Sequence, residues 1–119
     1  MKEINIRDVK ENLVKMISDD WALVSAADGD NWNTMTISWG GVGELWGKDV
    51  VFAFIRPQRY TKEFMDKSDY FTVSFFDEEY KDALKICGTK SGRDCDKINL
   101  AGLSIQHIRW QKCLQAMPE

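Results

Sequence analysis

Three short stretches bring cations, hydroxyls and glycine together in a way that suits one ligand chemistry, a phosphate ester. The first runs from Asn33 to Trp39 and reads Asn-Thr-Met-Thr-Ile-Ser-Trp. A period of two puts Thr34, Thr36 and Ser38 on one face and Met35, Ile37 and Trp39 on the other. A hydroxyl row that runs into Gly40, Gly41 and Gly43 suits a polyol or phosphate lying against bare backbone. The second stretch is Arg56 with Arg59-Tyr60-Thr61. Here a guanidinium, two hydroxyls and a helix start coincide, and free amides at a helix start attract phosphate while arginine grips it with two bonds. The third is Lys90-Ser91-Gly92, a cation, a hydroxyl and a pliable backbone that could close over the same group.

Singly, each stretch has an ordinary explanation. Arg56 and Arg59 can pair with surface acids, Thr61 can be a plain helix cap, and Lys90 and Arg93 can be solvated loop charges. Only their coincidence carries weight. Other chemistries are poorly served. Cys87, Cys95 and Cys113 form no Cys-x-x-Cys or His-Cys cluster, which argues against a disulfide framework or zinc site and for reduced thiols in a cytoplasmic protein. His107 stands in an irregular tail without a nucleophile or carboxylate around it. Cys87 falls on the apolar stripe of a helix and reads as core. No Gly-x-Gly-x-x-Gly follows a strand, so a Rossmann fold is not indicated.

The elements that must position these stretches fit in one domain, since 119 residues leave room for one core. Hydrophobic residues at 44% and charged residues at 29% indicate a folded globular chain. A net charge of -3 and a pI near 5.2 speak against nucleic acid or an anionic membrane as partner. No apolar run is long enough to span a bilayer, and the N-terminus lacks a signal-peptide core.

Asp8 to Glu11 has capping-box spacing, with Val9, Leu13, Met16 and Ile17 following at helical intervals. Residues 21–26 read as a strand, Asp28-Gly29-Asp30 as the turn into a central strand at 33–39, and 39–47 as a loop. Residues 50–55, nearly all apolar, predict a strand covered on both faces and stopped by Arg56-Pro57. A short helix capped by Thr61 reaches about Lys67 with Phe64 and Met65 inward. Residues 70–75 form another strand. The clearest helix is 77–87, its stripe Tyr80, Ala83, Leu84 and Cys87, with Gly88 as a left-handed exit. Residues 89–97 form a polar loop, followed by a short helix ending at Gly102. Four strands leave an edge for another chain to cover, or leave the fold incomplete.

The motifs at Asn33–Gly41, Trp46, Arg56–Thr61, Tyr70–Asp77 and Cys87–Asp94, taken in order, resemble the flavin reductase-like family in its flavoredoxin-like branch. The resemblance implies a mainly β fold with short helices, an FMN-binding split β-barrel, as a single domain over residues 1–119. It implies FMN held without a covalent bond, and a homodimer. Asn33, Met35, Thr36, Ser38 and Trp39 would line the isoalloxazine and ribityl chain. Arg56, Arg59, Tyr60 and Thr61 would hold the phosphate, with Lys90, Ser91 and Gly92 closing over it. The implied activity is hydride or electron transfer through the flavin, fed by NAD(P)H or a redox protein. A flavin-binding electron carrier and an inactive remnant are the alternatives. Residues 104–119 do not resemble the family's continuation, so a chain truncated at its C-terminus is expected.

Overall fold

The computed structural model describes residues 5–103; the expectations for His107, Cys113 and the 104–119 tail lie outside them. Among the described residues five strands are present: β1 Ala22–Asp28, β2 Asn31–Ile37, β3 Gly40–Leu45, β4 Lys48–Ala53 and β5 Thr72–Phe75. Four α-helical segments accompany them among the described residues: α1 Leu13–Lys15 before β1, α2 Tyr60–Lys67 between β4 and β5, and α3 Lys81–Thr89 and α4 Lys97–Leu100 after β5. The strands form an antiparallel sheet ordered β2-β1-β5 and a separate β3-β4 hairpin. The expected class, strands with short helices, is what the chain adopts, and among the described residues the two sheets do not close into a barrel.

The middle strand is β1, not the 33–39 segment expected to be central. Its first five residues are all buried because both of its faces are covered. On one face Leu23 packs with Ala83, Leu84 and Cys87 of α3 and with Leu103. On the other, Ala22 and Val24 pack with Met35 and Ile37 of β2, and Met65 of α2 joins from beyond. The result is a helix–sheet–helix sandwich. Burying each large aliphatic side chain in it is worth about 1.5–3 kcal/mol.

The structure corrects several expectations. Residues 40–45 are strand, not loop. β3 pairs with β4 through Trp46 (φ 55°) and Gly47 (φ 76°), the two positive-φ residues of a tight hairpin turn. The sequence hid this strand because its glycines look like a loop. A Cβ on Gly40 would strike the Phe52 carbonyl, so the close pairing requires bare backbone there, whereas one on Gly41 would meet only the tip of the exposed Phe52 ring. β4 is not covered on both faces: α2 and α3 both pack on the other sheet, and Phe52 and Phe54 stay exposed.

At the N-terminus Asp8 caps nothing. Asn5 caps a 3-10 turn at Ile6–Asp8, and Asn12 accepts from the Lys15 amide at 3.1 Å to start α1, which widens into a π turn over Met16–Asp20. The helix expected over 77–87 starts as a 3-10 turn at Glu78–Tyr80 and continues through Thr89, so Gly88 is not its exit. Gly88 instead lets α3 lie on Thr36, whose Cβ would stand 3.2 Å from an added methyl.

Candidate functional site

β2 ends where Ser38 and Trp39 leave the sheet, and this end meets the segment between β4 and α2. The Phe54 amide donates to the Trp39 carbonyl at 3.2 Å and joins the two beyond their strands. Met35, Thr36, Ile37, Ser38, Trp39, Phe54, Arg56 and Arg59 line a cleft of about 90 Å³ there. The Arg56 guanidinium lies 5.9 Å from the centre of the Trp39 ring, within cation–π range. Trp39 is 57% exposed and Phe54 61%. The mouth of the cleft is therefore two aromatic faces open to solvent.

The hydroxyl row has a different destination from the expected one. Thr34 is buried, accepts from Ser25 Oγ at 2.7 Å and donates to the Val24 carbonyl at 3.1 Å. Thr36 Oγ1 donates to the Leu84 carbonyl of α3. Only Ser38 of the three is exposed. A strand's two faces cannot be told apart by alternation alone, and this face is the one covered by α3.

Thr61 is not the cap of α2. Arg59 occupies that position, and Thr61, fully buried, accepts a 2.8 Å hydrogen bond from Asn33 Nδ2. Thr61 thus fixes the Asn33 amide, itself 5% exposed, between β2 and α2. The 90–96 loop closes on the same point. A Cβ on Gly92 would collide with Asn33 Oδ1 and stand 3.2 Å from Tyr60 Cδ2. Arg93, next in the chain, stacks its guanidinium 4.7 Å from the Tyr60 ring centre, pairs with Glu63 at 2.9 Å and donates to the Gln58 carbonyl at 3.2 Å. Arg93 is a fastener of the loop to α2, rather than a free loop charge.

The three predicted stretches therefore meet around the start of α2, but not in one cavity. Met35, Thr36, Ser38, Trp39, Arg56 and Arg59 line the cleft. Asn33, Tyr60 and Gly92 border a neighbouring groove with Trp32 and Phe64. The Lys90 side chain is exposed, and among the described residues no hydrogen bond or ion pair joins its ammonium to the other stretches. Ser91 Oγ accepts from the Arg93 amide at 3.2 Å within the loop.

Electrostatics distinguish the site. Arg59 is half-buried, and burial, followed by the charge of Arg56, pulls its pKa down. Its Nη2 donates to the Cys87 carbonyl at 3.4 Å. Sequence reasoning missed Lys97, which is only 2% exposed and donates to the same carbonyl at 3.2 Å and to the Lys90 carbonyl at 3.3 Å. Burial lowers its pKa to about 8; Cys87 opposes the shift and Arg59 adds to it. Among the described residues no carboxylate forms an ion pair with Arg56, Arg59 or Lys97. Nothing in Asp-Lys-Ile-Asn marks its lysine as buried. Only the packing of α4 on α3 does.

An open two-sheet fold with helices on both faces of one sheet, and an uncompensated cationic cleft where the sheets meet, defines the class. The model for "Flavin reductase like domain" matches residues 15–115. The chain belongs to the flavin reductase-like family.

Solved structures share the fold. Flavoredoxin of Desulfovibrio vulgaris (Miyazaki F) aligns over 87% of this chain and 54% of its own, with TM-score 0.65 and 22% identity. The FMN-binding domain of a flavin reductases-like enzyme from Shewanella baltica OS155 aligns over 76% and 48%, with TM-score 0.64 and 18% identity. An FMN-binding protein from Thermus thermophilus aligns over 82% and 55%, with TM-score 0.61 and 23% identity. The chain spans about half the length of these structures. No curated protein matches it.

Proposed function

We propose that the chain binds FMN without a covalent bond and serves flavin-dependent oxidation and reduction. The observation that carries this is the charge imbalance at the cleft. Arg56 and Arg59 stand side by side without a carboxylate partner among the described residues, and an anionic ester relieves that repulsion. A flavin's phosphomonoester carries about two negative charges at neutral pH, by analogy with other phosphomonoesters. Trp39, Met35 and Phe54 supply the apolar surface a planar ring needs, so the residues present fit the group.

In this reading Arg56 and Arg59 hold the phosphate, with Tyr60 and the Lys90-Ser91-Gly92 loop closing over it. Ser38 and the backbone around it face the ribityl chain, while Met35, Thr36 and Trp39 border the ring. Thr61 acts one step back by locking Asn33 in place. Bound flavin supplies hydride or electron transfer; the protein binds it, orients it and keeps water from one side of it.

A space of about 90 Å³ takes a phosphate but not a whole flavin, so the ring lies over the open aromatic mouth. A second copy of the chain covering Trp39 and Phe54 completes the site, which makes the working form a homodimer. NAD(P)H or a redox protein is the electron donor, and Cys87 and Cys95, free thiols among the described residues, accord with a cytoplasmic location.

The test is the absorbance spectrum of the purified protein with FMN, followed by addition of NADH or NADPH. A flavin band bleached by nicotinamide supports the reductase. A band reduced only by a protein donor supports an electron carrier. Absence of binding refutes the proposal. Arg59→Ala is expected to weaken FMN at least tenfold and riboflavin much less, since the lost hydrogen bonds to a charged group are worth about 1.5–3 kcal/mol.

A further inference from the structure

We infer that Lys97 is a third cation of the phosphate site, a positioning residue that works with Arg59 through the Cys87 carbonyl. The inference rests on the FMN reading above and adds a residue from α4, an element outside all three predicted stretches.

The Cys87 carbonyl, in the last turn of α3, receives two cationic donors, Lys97 at 3.2 Å and Arg59 at 3.4 Å. A helix C-terminus carries about half a negative charge, so one cation already satisfies it. Placing two there, with Arg56 adding its repulsion to Arg59, leaves an excess of roughly one and a half to two and a half positive charges. That excess is close to the charge of a phosphomonoester. The groups facing Lys97 are Arg59 from α2, Cys87 from α3 and Cys95 from the loop before α4. None of these is a carboxylate; Asp94 and Asp96 border the same groove as Lys97, and among the described residues neither forms an ion pair with it.

The Lys90 carbonyl, Lys97's second acceptor, belongs to the loop proposed to close over the phosphate. Lys97 therefore ties the end of α3 to the head of that loop, and it shares its Cys87 acceptor with the arginine at the start of α2. If it were only a helix cap, its loss would lower stability and leave anion discrimination untouched.

The test compares FMN with riboflavin, which shares the ring but lacks the phosphate, by fluorescence quenching with the full chain. The wild type, Lys97→Gln and Lys97→Arg are each titrated at about pH 7 and about pH 9. Lys97, with a pKa of about 8, is protonated at the first pH and mostly neutral at the second. The wild-type FMN-to-riboflavin affinity ratio should fall by up to about tenfold between them. In Lys97→Arg the ratio should stay high and flat, and in Lys97→Gln low and flat.

A wild-type ratio that favours FMN but does not change with pH overturns the inference and leaves FMN binding standing. So does a Lys97→Gln chain that keeps the wild-type ratio and slope. If Lys97→Gln does not fold, the wild-type profile and Lys97→Arg decide. Equal affinity for the two flavins at about pH 7, or no binding of either, takes down both readings.

Discussion

Gly92→Ala offers a sharp test of how the site is held. Gly92 has no positive φ to preserve, so the substitution acts only through the space its Cβ would take. That Cβ would overlap Asn33 Oδ1 and stand 3.1 Å from Asn33 Cγ and 3.2 Å from Tyr60 Cδ2. An exposed side chain would swing aside, but Asn33 is buried and bonded to Thr61 Oγ1 at 2.8 Å. Moving it breaks that bond and leaves buried polar groups unpaired, at about 1–3 kcal/mol. Shifting the loop instead pulls Arg93 from Tyr60, Glu63 and the Gln58 carbonyl. The overpacking itself costs about 1–3 kcal/mol.

A loss of about 2–3 kcal/mol is therefore expected, read as a lower urea midpoint with unchanged slope. Gly43→Ala is the control, because nothing lies within 4 Å of its added Cβ. The decisive comparison is Gly92→Ala in an Asn33→Ala background, where most of the cost should vanish as the obstacle is gone. Full retention of the cost in that background, or a Gly92→Ala midpoint equal to wild type, would refute the reasoning.

Three other outcomes follow from the geometry. Lys97 is charged in the unfolded chain up to its ordinary 10.5 and in the fold only to about 8, so burial penalises the folded chain below 8 and the penalty lifts as pH rises toward 10.5. Urea midpoints without flavin should show stability gaining about 2 kcal/mol between about pH 7 and about pH 9.5 relative to Lys97→Met, and a decrease would contradict the buried ammonium. Gly40→Ala drives a Cβ into the Phe52 carbonyl, which is backbone and cannot swing away, so the variant should lose about 2 kcal/mol while Gly43→Ala changes little. In a Cys113→Ser chain, maleimide should modify Cys95 well before Cys87, whose thiol is fully buried and raised in pKa by that burial. Peptide mass spectrometry reads the order, and equal rates would mean that α3 does not cover Cys87.

Local pattern determined much of this protein. The stripe Ala83, Leu84 and Cys87 announces α3 and its buried side, whereas β4 ends at Ala53, short of the Arg56-Pro57 stop that the sequence offers. The motifs also carried the family, and the three stretches they mark lie around the start of α2, divided between a cleft and a neighbouring groove. What the sequence left open were the partners chosen at a distance. Asn33 meets Thr61 across 28 residues, Arg59 meets Cys87 across 28, and Thr36 meets Leu84 across 48. Periodicity states which side chains share a face, but the packing of α3 and α2 on opposite sides of β1 decides which face is dry. That packing turned Thr34 and Thr36 inward and made Thr61 a brace for Asn33, the packing of α4 on α3 buried Lys97, and β4, with no α2 or α3 over it, left Phe52 exposed. A charge or hydroxyl becomes a binding group only when tertiary contacts strip it of solvent and leave it without a counterpart, and no window of adjacent residues contains that information.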